Sequence, residues 1–208
     1  THKDGIINEE DVVELGNVMA HHTGGFGFSG NYKNFDFSAN FTYQIGGKVY
    51  NASAMCEYTG GKEPGIGKNK RDFIRDCFQL YDVRNGELVV VTDPTELAAL
   101  NRNATRPVPY YEANTVLSDF IEDASFLRLS NLTIGYSFPK TLLKKAYIQS
   151  ARVYVTGGNL FCITGYSGLD PEVSTNGAAG NSGYPTPGLD YGSYPRSRTF
   201  TVGLNLTF

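Results

Sequence analysis

Two carboxylates flank a proline late in the chain, at Asp170-Pro171-Glu172. Carboxylates at this spacing can hold a polar substrate or contact a partner protein. They can also belong to a structural turn, because proline fixes φ and an aspartate side chain accepts hydrogen bonds from the nearby backbone. We favour the turn and keep Asp170 and Glu172 as candidate contacts for a substrate or partner.

A second group of oxygen ligands lies near the N-terminus, at Asp4, Asn8 and Asp11. Together with Gly5, these residues resemble the second half of a calcium-binding loop of the form D-x-N-x-D-G-x-I-x-x-x-D. Hard oxygen ligands spaced around a sharp glycine turn suit Ca²⁺. His2 occupies one ligand position, however, and the first ligand would precede residue 1. We therefore favour a folded turn without metal, with a Ca²⁺ site as the alternative.

Tyr184 and Tyr191 lie in a stretch that is rich in aromatic residues. Aromatic rings can stack on sugar rings, which makes both tyrosines candidate contacts for a substrate or partner. Packing against their own loop is the alternative that we favour. The sequence leaves open whether Cys56 and Cys77 form a disulfide.

Motifs for catalysis are missing from the sequence. His2, His21 and His22 lie in one N-terminal segment, with no G-x-S-x-G, H-E-x-x-H or paired-carboxylate spacing near them. The formal net charge of −3 provides no basic surface for nucleic acid. We therefore predict a protein that is not an enzyme and does not bind nucleic acid.

The elements that must position these residues are long amphipathic strands. From Phe200 to Phe208 the even positions are apolar and the odd positions are small or polar, so the strand has one apolar and one polar face. The pattern recurs along the chain, with changes of phase near Ser130-Asn131 and Gly157-Gly158 that predict bulges. The predicted strands lie near residues 25–33, 35–49, 125–138, 151–163 and 196–208.

The joints between these strands alternate between long and short. Residues 50–122 and 164–195 are long and rich in Gly, Asn, Pro and charge, whereas the turns at 33–34 and 139–149 are shorter. Transmembrane β-barrels have long extracellular loops and short periplasmic turns. The predicted fold is therefore all-β: about five C-terminal strands of a large antiparallel transmembrane barrel. Because five strands cannot close such a barrel, we expect further strands from the same polypeptide or from a partner.

Polar side chains on these strands should face the barrel lumen. Arg128 shares a strand with apolar neighbours, so its charge should be solvated or paired there. Arg196 and Arg198 should lie at the external rim, near lipid headgroups or loop carboxylates. Inside loop 50–122, Asp93-Pro94-Thr95-Glu96 predicts a short helix near 94–102. The other predicted lumen-facing residues are Asp36, Asn40, Gln44, Lys48 and Asn205.

A soluble β-sandwich is the alternative for these strands. An adhesin or lectin-like surface-binding module with tyrosine-rich loops would show the same alternation. The unequal joints favour the barrel, because connections in a sandwich usually have similar lengths at both ends. A protein that can be extracted only with detergent would be the barrel and not the soluble sandwich.

Several segments of the sequence resemble the SusC/RagA-type TonB-dependent outer-membrane transporters. Residues 121–139 (IEDASFLRLSNLTIGYSFP) resemble a late-barrel signature of that family. So do residues 151–161 (ARVYVTGGNLF) with 166–173 (YSGLDPEV), where D-P-E is a family element of the last external loop. Residues 190–208 resemble the family's terminus, and all these segments occur in the family's order.

The resemblance implies a bacterial outer-membrane location and a large protein, with a barrel of about 22 strands around an N-terminal plug. Such transporters of Bacteroidota import glycans, or peptides in some members. A SusD-like surface lipoprotein covers the external face, and the TonB complex acts on the N-terminal part. We therefore expect the chain to be the C-terminal part of a nutrient importer, with plug, remaining strands, lipid or lipopolysaccharide and cargo as partners. The plug and the earlier strands are not in the sequence given.

Overall fold

The computed structural model describes residues 12–59, 72–106, 117–144, 147–172 and 187–208. The chain divides into two compact units, one formed by residues 1–50 and 121–208 and the other by residues 51–120. The described helices are all too short and too polar to cross a membrane. In chain order the elements are β1 (His22–Tyr32), β2 (Phe35–Ile45), β3 (Lys48–Asn51), α1 (Ala52–Thr59), β4 (Tyr81–Arg84), β5 (Glu87–Val90), α2 (Pro94–Leu100), β6 (Ile121–Asp123), β7 (Phe126–Ser137), α3 (Lys140–Leu143), β8 (Ser150–Thr164), β9 (Leu189–Asp190) and β10 (Thr199–Thr207).

The first unit is built on a five-stranded antiparallel sheet, which we call the wall. Its strand order is β1-β2-β7-β8-β10. The five predicted strands are therefore present, and each wall strand lies beside the wall strand that follows it in the sequence. The strands are between 9 and 15 residues long, and about 9–11 tilted residues suffice to cross a bilayer. We call the end of the wall with the turns at 33–34 and 138–149 the turn end, and the opposite end the loop end.

The register of the wall places its apolar side chains on one face. Phe41 on β2 faces Phe26 on β1 and Leu129 on β7, and the rings of Phe26 and Phe41 stack with centroids 5.0 Å apart. Among the described residues this face stays uncovered: Phe200 and Val202 are each 72% exposed. A sheet in water buries such a face, so an exposed apolar face over five strands is the surface expected of a lipid-facing wall.

The opposite face of the wall is polar. Four of the predicted lumen-facing residues lie on it: Asp36, Asn40, Gln44 and Asn205. Hydroxyl groups pair across the strands, with Thr133 and Thr156 Oγ1 atoms 2.9 Å apart and Thr42 Oγ1 2.8 Å from Ser130 Oγ. The wall therefore separates an apolar side from a hydrogen-bonding side.

Bulges keep the two faces in phase where the alternation changes. On β7 the register passes from Asn131 directly to Leu129, so Ser130 is unpaired and the predicted bulge is confirmed. On β8 the register shift lies at Asn159-Leu160, directly after the predicted position, and Gly157 and Gly158 stay paired. Asn159 has φ +52°, a left-handed conformation that asparagine tolerates better than most residues.

The strand β2 ends at Ile45, before the predicted end at Val49. Gly46 and Gly47 have φ +80° and +87°, values that favour glycine, and they turn the chain away from the wall. The chain then continues as β3 in another sheet. Lys48 therefore lies off the polar face of the wall, and the prediction that it shares that face is wrong.

A small three-stranded sheet, in the order β6-β3-β9, lies at the loop end. Val49 pairs with Glu122, and the Tyr50 N–H donates to the Gly188 carbonyl at 2.7 Å. Val49 also belongs to a buried cluster with Ala124 and Tyr166. The small sheet thus ties together chain segments that follow β2, precede β7 and lie between β8 and β10.

The second unit contains the predicted helix. Helix α2 spans Pro94–Leu100, and the Asp93 carboxylate accepts hydrogen bonds from the Thr95 and Glu96 amides, each at 2.9 Å. This cap satisfies amides that would otherwise lack an intrahelical partner. The helix predicted near 94–102 is confirmed.

The same unit contains a hairpin that the sequence analysis missed. Strands β4 and β5 pair through Asn85-Gly86, whose φ angles are +55° and +86°. An Asn-Gly pair between alternating apolar residues is a strong hairpin signal, so the sequence does predict this turn. No disulfide joins Cys56 and Cys77, which answers the question that the sequence left open.

Candidate functional site

A buried guanidinium organises the loop end of the wall. Arg128 lies on the polar face of β7 with its side chain only 3% exposed. Its Nη2 donates to Asp170 Oδ1 at 2.7 Å, and its Nη1 donates to Asn159 Oδ1 at 2.6 Å. Its Nε is 2.9 Å from Glu172 Oε2, and its guanidinium stacks over the Phe126 ring at 5.3 Å. Its two terminal nitrogens are therefore hydrogen-bonded, whereas Nε meets Glu172 as a close ion pair without hydrogen-bond geometry.

The partners of Arg128 hold one another as well. Asp170 accepts from the Glu172 amide at 3.0 Å and from the Arg196 amide at 3.3 Å. Arg196 Nη2 donates to Glu172 Oε1 at 3.2 Å, and Asn159 Nδ2 donates to the Arg196 carbonyl at 2.8 Å. We call Arg128, Asn159, Asp170, Glu172 and Arg196 the loop-end network. It joins β7, the β8 bulge, the D-P-E segment and the approach to β10.

The charges of this network are balanced and unequally exposed. Asp170 is buried, whereas the Glu172 side chain is 23% exposed and the Arg196 side chain 59% exposed. Burial tends to raise the pKa of Asp170, but hydrogen bonds from the Glu172 amide, the Arg128 guanidinium and the Arg196 amide outweigh it and hold that pKa below its usual range. The accessible ionic groups are therefore those of Glu172 and Arg196.

A second buried contact lies beside the small sheet. The Tyr166 hydroxyl donates to Asp190 Oδ2 at 2.6 Å, and both side chains are buried. Glu122 accepts from the Ser167 amide and hydroxyl, each at 2.7 Å. These bonds join the segments on both sides of the last long loop.

A separate ion pair lies on the polar face near the turn end. Arg152 on β8 donates through Nε to Asp36 Oδ1 on β2 at 2.9 Å, across the intervening strand β7. The strand between them carries Gly135, where a Cβ atom would meet the Arg152 guanidinium and the Asp36 carboxylate. Both ionic side chains keep about a third of their surface exposed, at 29% and 31%. The pair therefore presents charge to whatever lies against the polar face.

The candidate residues from the sequence fall into three groups. Asp170 and Glu172 lie in the loop-end network, and the turn interpretation fits the buried Asp170. Tyr191 is 53% exposed after β9, and its role as a cargo or partner contact stays a prediction. The remaining candidates, Tyr184 and the calcium set Asp4, Asn8 and Asp11, lie outside the described residues.

Four positions in these contacts escaped the sequence analysis. The only sequence signal for Asn159 is its place after Gly157-Gly158, where the alternation changes. Asparagine adopts a positive φ more readily than most residues, and Asn159 has one. Tyr166 and Asp190 had no signal, because their hydrogen bond joins residues far apart in the chain. Gly135 looked like an ordinary strand glycine, although its lack of a side chain makes room for the Asp36–Arg152 pair.

The chain is similar to TonB-dependent receptors, to one of them over nearly its whole length. It is 33% identical to TonB-dependent receptor P3 of Formosa agariphila over 205 residues, which is 99% of this chain and 18% of that protein. It is 43% identical to TonB-dependent receptor SusC of Bacteroides thetaiotaomicron over 90 residues, which is 43% of this chain and 8% of SusC. No family model matches the chain.

Solved structures agree with this similarity. Chains of the RagAB peptide importer match the fold in two states. For the open-open state the TM-score is 0.63 at 26% identity, covering 92% of this chain and 17% of that one. For the closed-closed state the TM-score is 0.65 at 25% identity, covering 92% and 18%. The chain is a barrel segment of the SusC/RagA-type TonB-dependent transporters.

The orientation of this SusC/RagA-type segment stays a prediction from the sequence, in which the end with the long loops is extracellular and the end with the short turns is periplasmic. In that orientation the loop-end network lies at the extracellular rim, and the Asp36–Arg152 pair lies near the periplasmic rim. The chain spans less than a fifth of the length of the relatives reported above.

The lowered pKa of Asp170 predicts how the loop-end network of this SusC/RagA-type segment responds to acid. A carboxyl with a lowered pKa in the folded state stabilises the fold at neutral pH, and this contribution is lost as the pH falls through the lowered value. We expect the Glu172 and Arg196 amides to lose protection from hydrogen exchange at acid pH, after correction for the intrinsic rate. Asp170→Asn should weaken protection at neutral pH and remove most of this pH dependence. An unchanged pH profile in the variant would contradict the assignment.

Proposed function

We propose that the protein containing this segment imports a nutrient across the bacterial outer membrane with energy supplied through TonB. The observation that carries the proposal is the match of nearly the whole chain to TonB-dependent receptors, on a sheet with one apolar and one polar face. In this proposal the protein is an integral outer-membrane transporter and has no catalytic activity of its own.

The segment would contribute the late part of the barrel wall. Its apolar face would contact lipid, while its polar face, with the Asp36–Arg152 pair, would face the plug. Strands absent from this sequence would pair with the free edges of β1 and β10, because unpaired backbone groups in lipid are costly. The loop-end network would hold the last external loop in one position over the lumen.

We propose an oligosaccharide or a peptide as the cargo. The exposed groups near the loop end suit both, since Glu172 and Arg196 offer charge and Tyr191 offers an aromatic ring that can stack on a sugar. The name of the RagAB importer refers to peptides, which favours testing peptides first. A SusD-like lipoprotein would cover the extracellular side, and the TonB complex would act through the N-terminal part of the whole protein.

Uptake by cells tests this proposal directly. Cells with the intact gene, cells lacking it and cells lacking TonB would be given fluorescent peptides and fluorescent oligosaccharides in separate experiments. We expect one class of cargo to enter only when both the protein and TonB are present. Uptake of both classes at wild-type rates without the protein would overturn the proposal, and uptake that needs the protein but not TonB would overturn its energy source.

A further inference from the structure

The turn end of the wall carries three exposed lysines that form no ion pair among the described residues. Lys33 in the β1–β2 turn and Lys140 and Lys144 around α3 are exposed. The sequence has no Asp or Glu between Asp123 and Asp170, and none after Asp190. The acidic residue nearest to these turns, Asp36, is held by Arg152.

These lysines lie on one rim, since backbone hydrogen bonds join the segments that carry them. The Ser137 N–H donates to the Asn34 carbonyl at 2.8 Å, which places the β1–β2 turn beside the start of the β7–β8 connection. Lys140 and Lys144 are four residues apart on and just after α3, a spacing that puts two side chains on the same side of a helix.

Exposed apolar side chains accompany the lysines. Leu142 is 65% exposed and Tyr147 is 91% exposed, although the neighbouring Leu143 is buried and fixes the short helix to the segment. On the same rim Tyr32 is 70% exposed, and the ammonium of Lys33 lies 5.4 Å from its ring centroid. An aliphatic and two aromatic side chains beside lysines form the mixed surface that settles at the boundary between lipid tails and headgroups.

We propose that this periplasmic rim binds the anionic headgroups of phospholipids in the inner leaflet of the outer membrane. Lys33, Lys140 and Lys144 would contact headgroup phosphates, while Leu142 and Tyr147 enter the interface. Charge complementarity favours this occupant, because three exposed cations meet no acidic partner among the described residues of the rim. The inference goes beyond nutrient import and does not depend on the cargo.

Native mass spectrometry of the whole transporter in detergent tests the proposal. The protein would be titrated with phosphatidylglycerol and, separately, with phosphatidylcholine of the same acyl chains. We expect tighter binding of phosphatidylglycerol, and a loss of at least about tenfold in that binding when Lys33, Lys140 and Lys144 are all changed to Gln, since a lysine near an anionic lipid surface contributes roughly fivefold. Added salt should reduce the preference in the wild type.

Two matched variants make the test specific. Changing the same three lysines to Arg keeps the charge and should keep the preference for phosphatidylglycerol. Changing the exposed Arg75, Arg102 and Arg198 to Gln removes equal charge from segments that do not belong to this rim and should leave the preference unchanged. The proposal is overturned if the wild type binds both lipids equally or if the Lys→Gln variant keeps its preference. Neither readout involves uptake, so failure here is distinct from failure of the transport proposal.

Discussion

Replacing Arg128 with methionine is expected to release the D-P-E segment and to destabilise the loop end of the wall by about 3–5 kcal/mol. Methionine fills similar space but leaves the Asp170 carboxylate, which is 5% exposed, without its guanidinium. A buried charge that loses its partner carries the full cost of its lost hydration. Hydrogen exchange of the segment around Asp170 and urea unfolding of the whole transporter would measure the loss.

A double variant separates the ion pair from simple packing. Arg128→Met combined with Asp170→Asn removes both charges, so it should recover part of the stability lost in the single variant. Arg198→Met changes an exposed arginine nearby and should have little effect. If Arg128→Met unfolds in urea like the wild type and its loop exchanges no faster, the loop-end network does not anchor the loop.

Placing arginine on the apolar face is expected to cost about 2–4 kcal/mol at the bilayer midplane, whereas placing it on the polar face should cost little. Adjacent residues in β10 allow this comparison. Val202 faces Val155 on the apolar side and is 72% exposed, while Thr201 faces Thr156 on the polar side. Val202→Arg should therefore reduce the yield of folded barrel and its resistance to urea, and Thr201→Arg should not.

The comparison also distinguishes the two fold classes considered from the sequence. In a soluble sandwich Val202 would lie in the core between two sheets, and Thr201 would face water. The decisive control compares the two variants with and without lipid. The difference between them should appear only after reconstitution in lipid. Equal urea resistance of the Val202→Arg and Thr201→Arg variants in lipid vesicles would remove the membrane assignment of the apolar face.

The strands of the wall were predictable because each one carries its own signal. Alternation with a period of two identifies a strand and its faces without any knowledge of its neighbours. The helix α2 was predictable for the same reason, since its cap at Asp93 and its proline are adjacent in the sequence. The signal for the Asn85-Gly86 hairpin is equally local, because the turn dipeptide lies directly between its two strands.

The loop-end network was predictable only in part. The polar face of Arg128 was predictable from its strand, but its partners come from two other segments that no local pattern connects with it. The small sheet is likewise built from very short strands, whose pairing depends on contacts between distant segments. Lys48 was misplaced because the alternation of β2 continues through Gly46-Gly47, whereas the backbone turns there.

The small sheet has a consequence for the length of the segment between β3 and β6. Tyr50 pairs with Ile121, so this segment leaves and rejoins the loop end at neighbouring positions. With both ends fixed, doubling the number of residues between them costs only about 0.6 kcal/mol in closure entropy. We therefore expect that segments of different length and sequence can replace the residues between Tyr50 and Ile121 while the five strands of the wall keep their register.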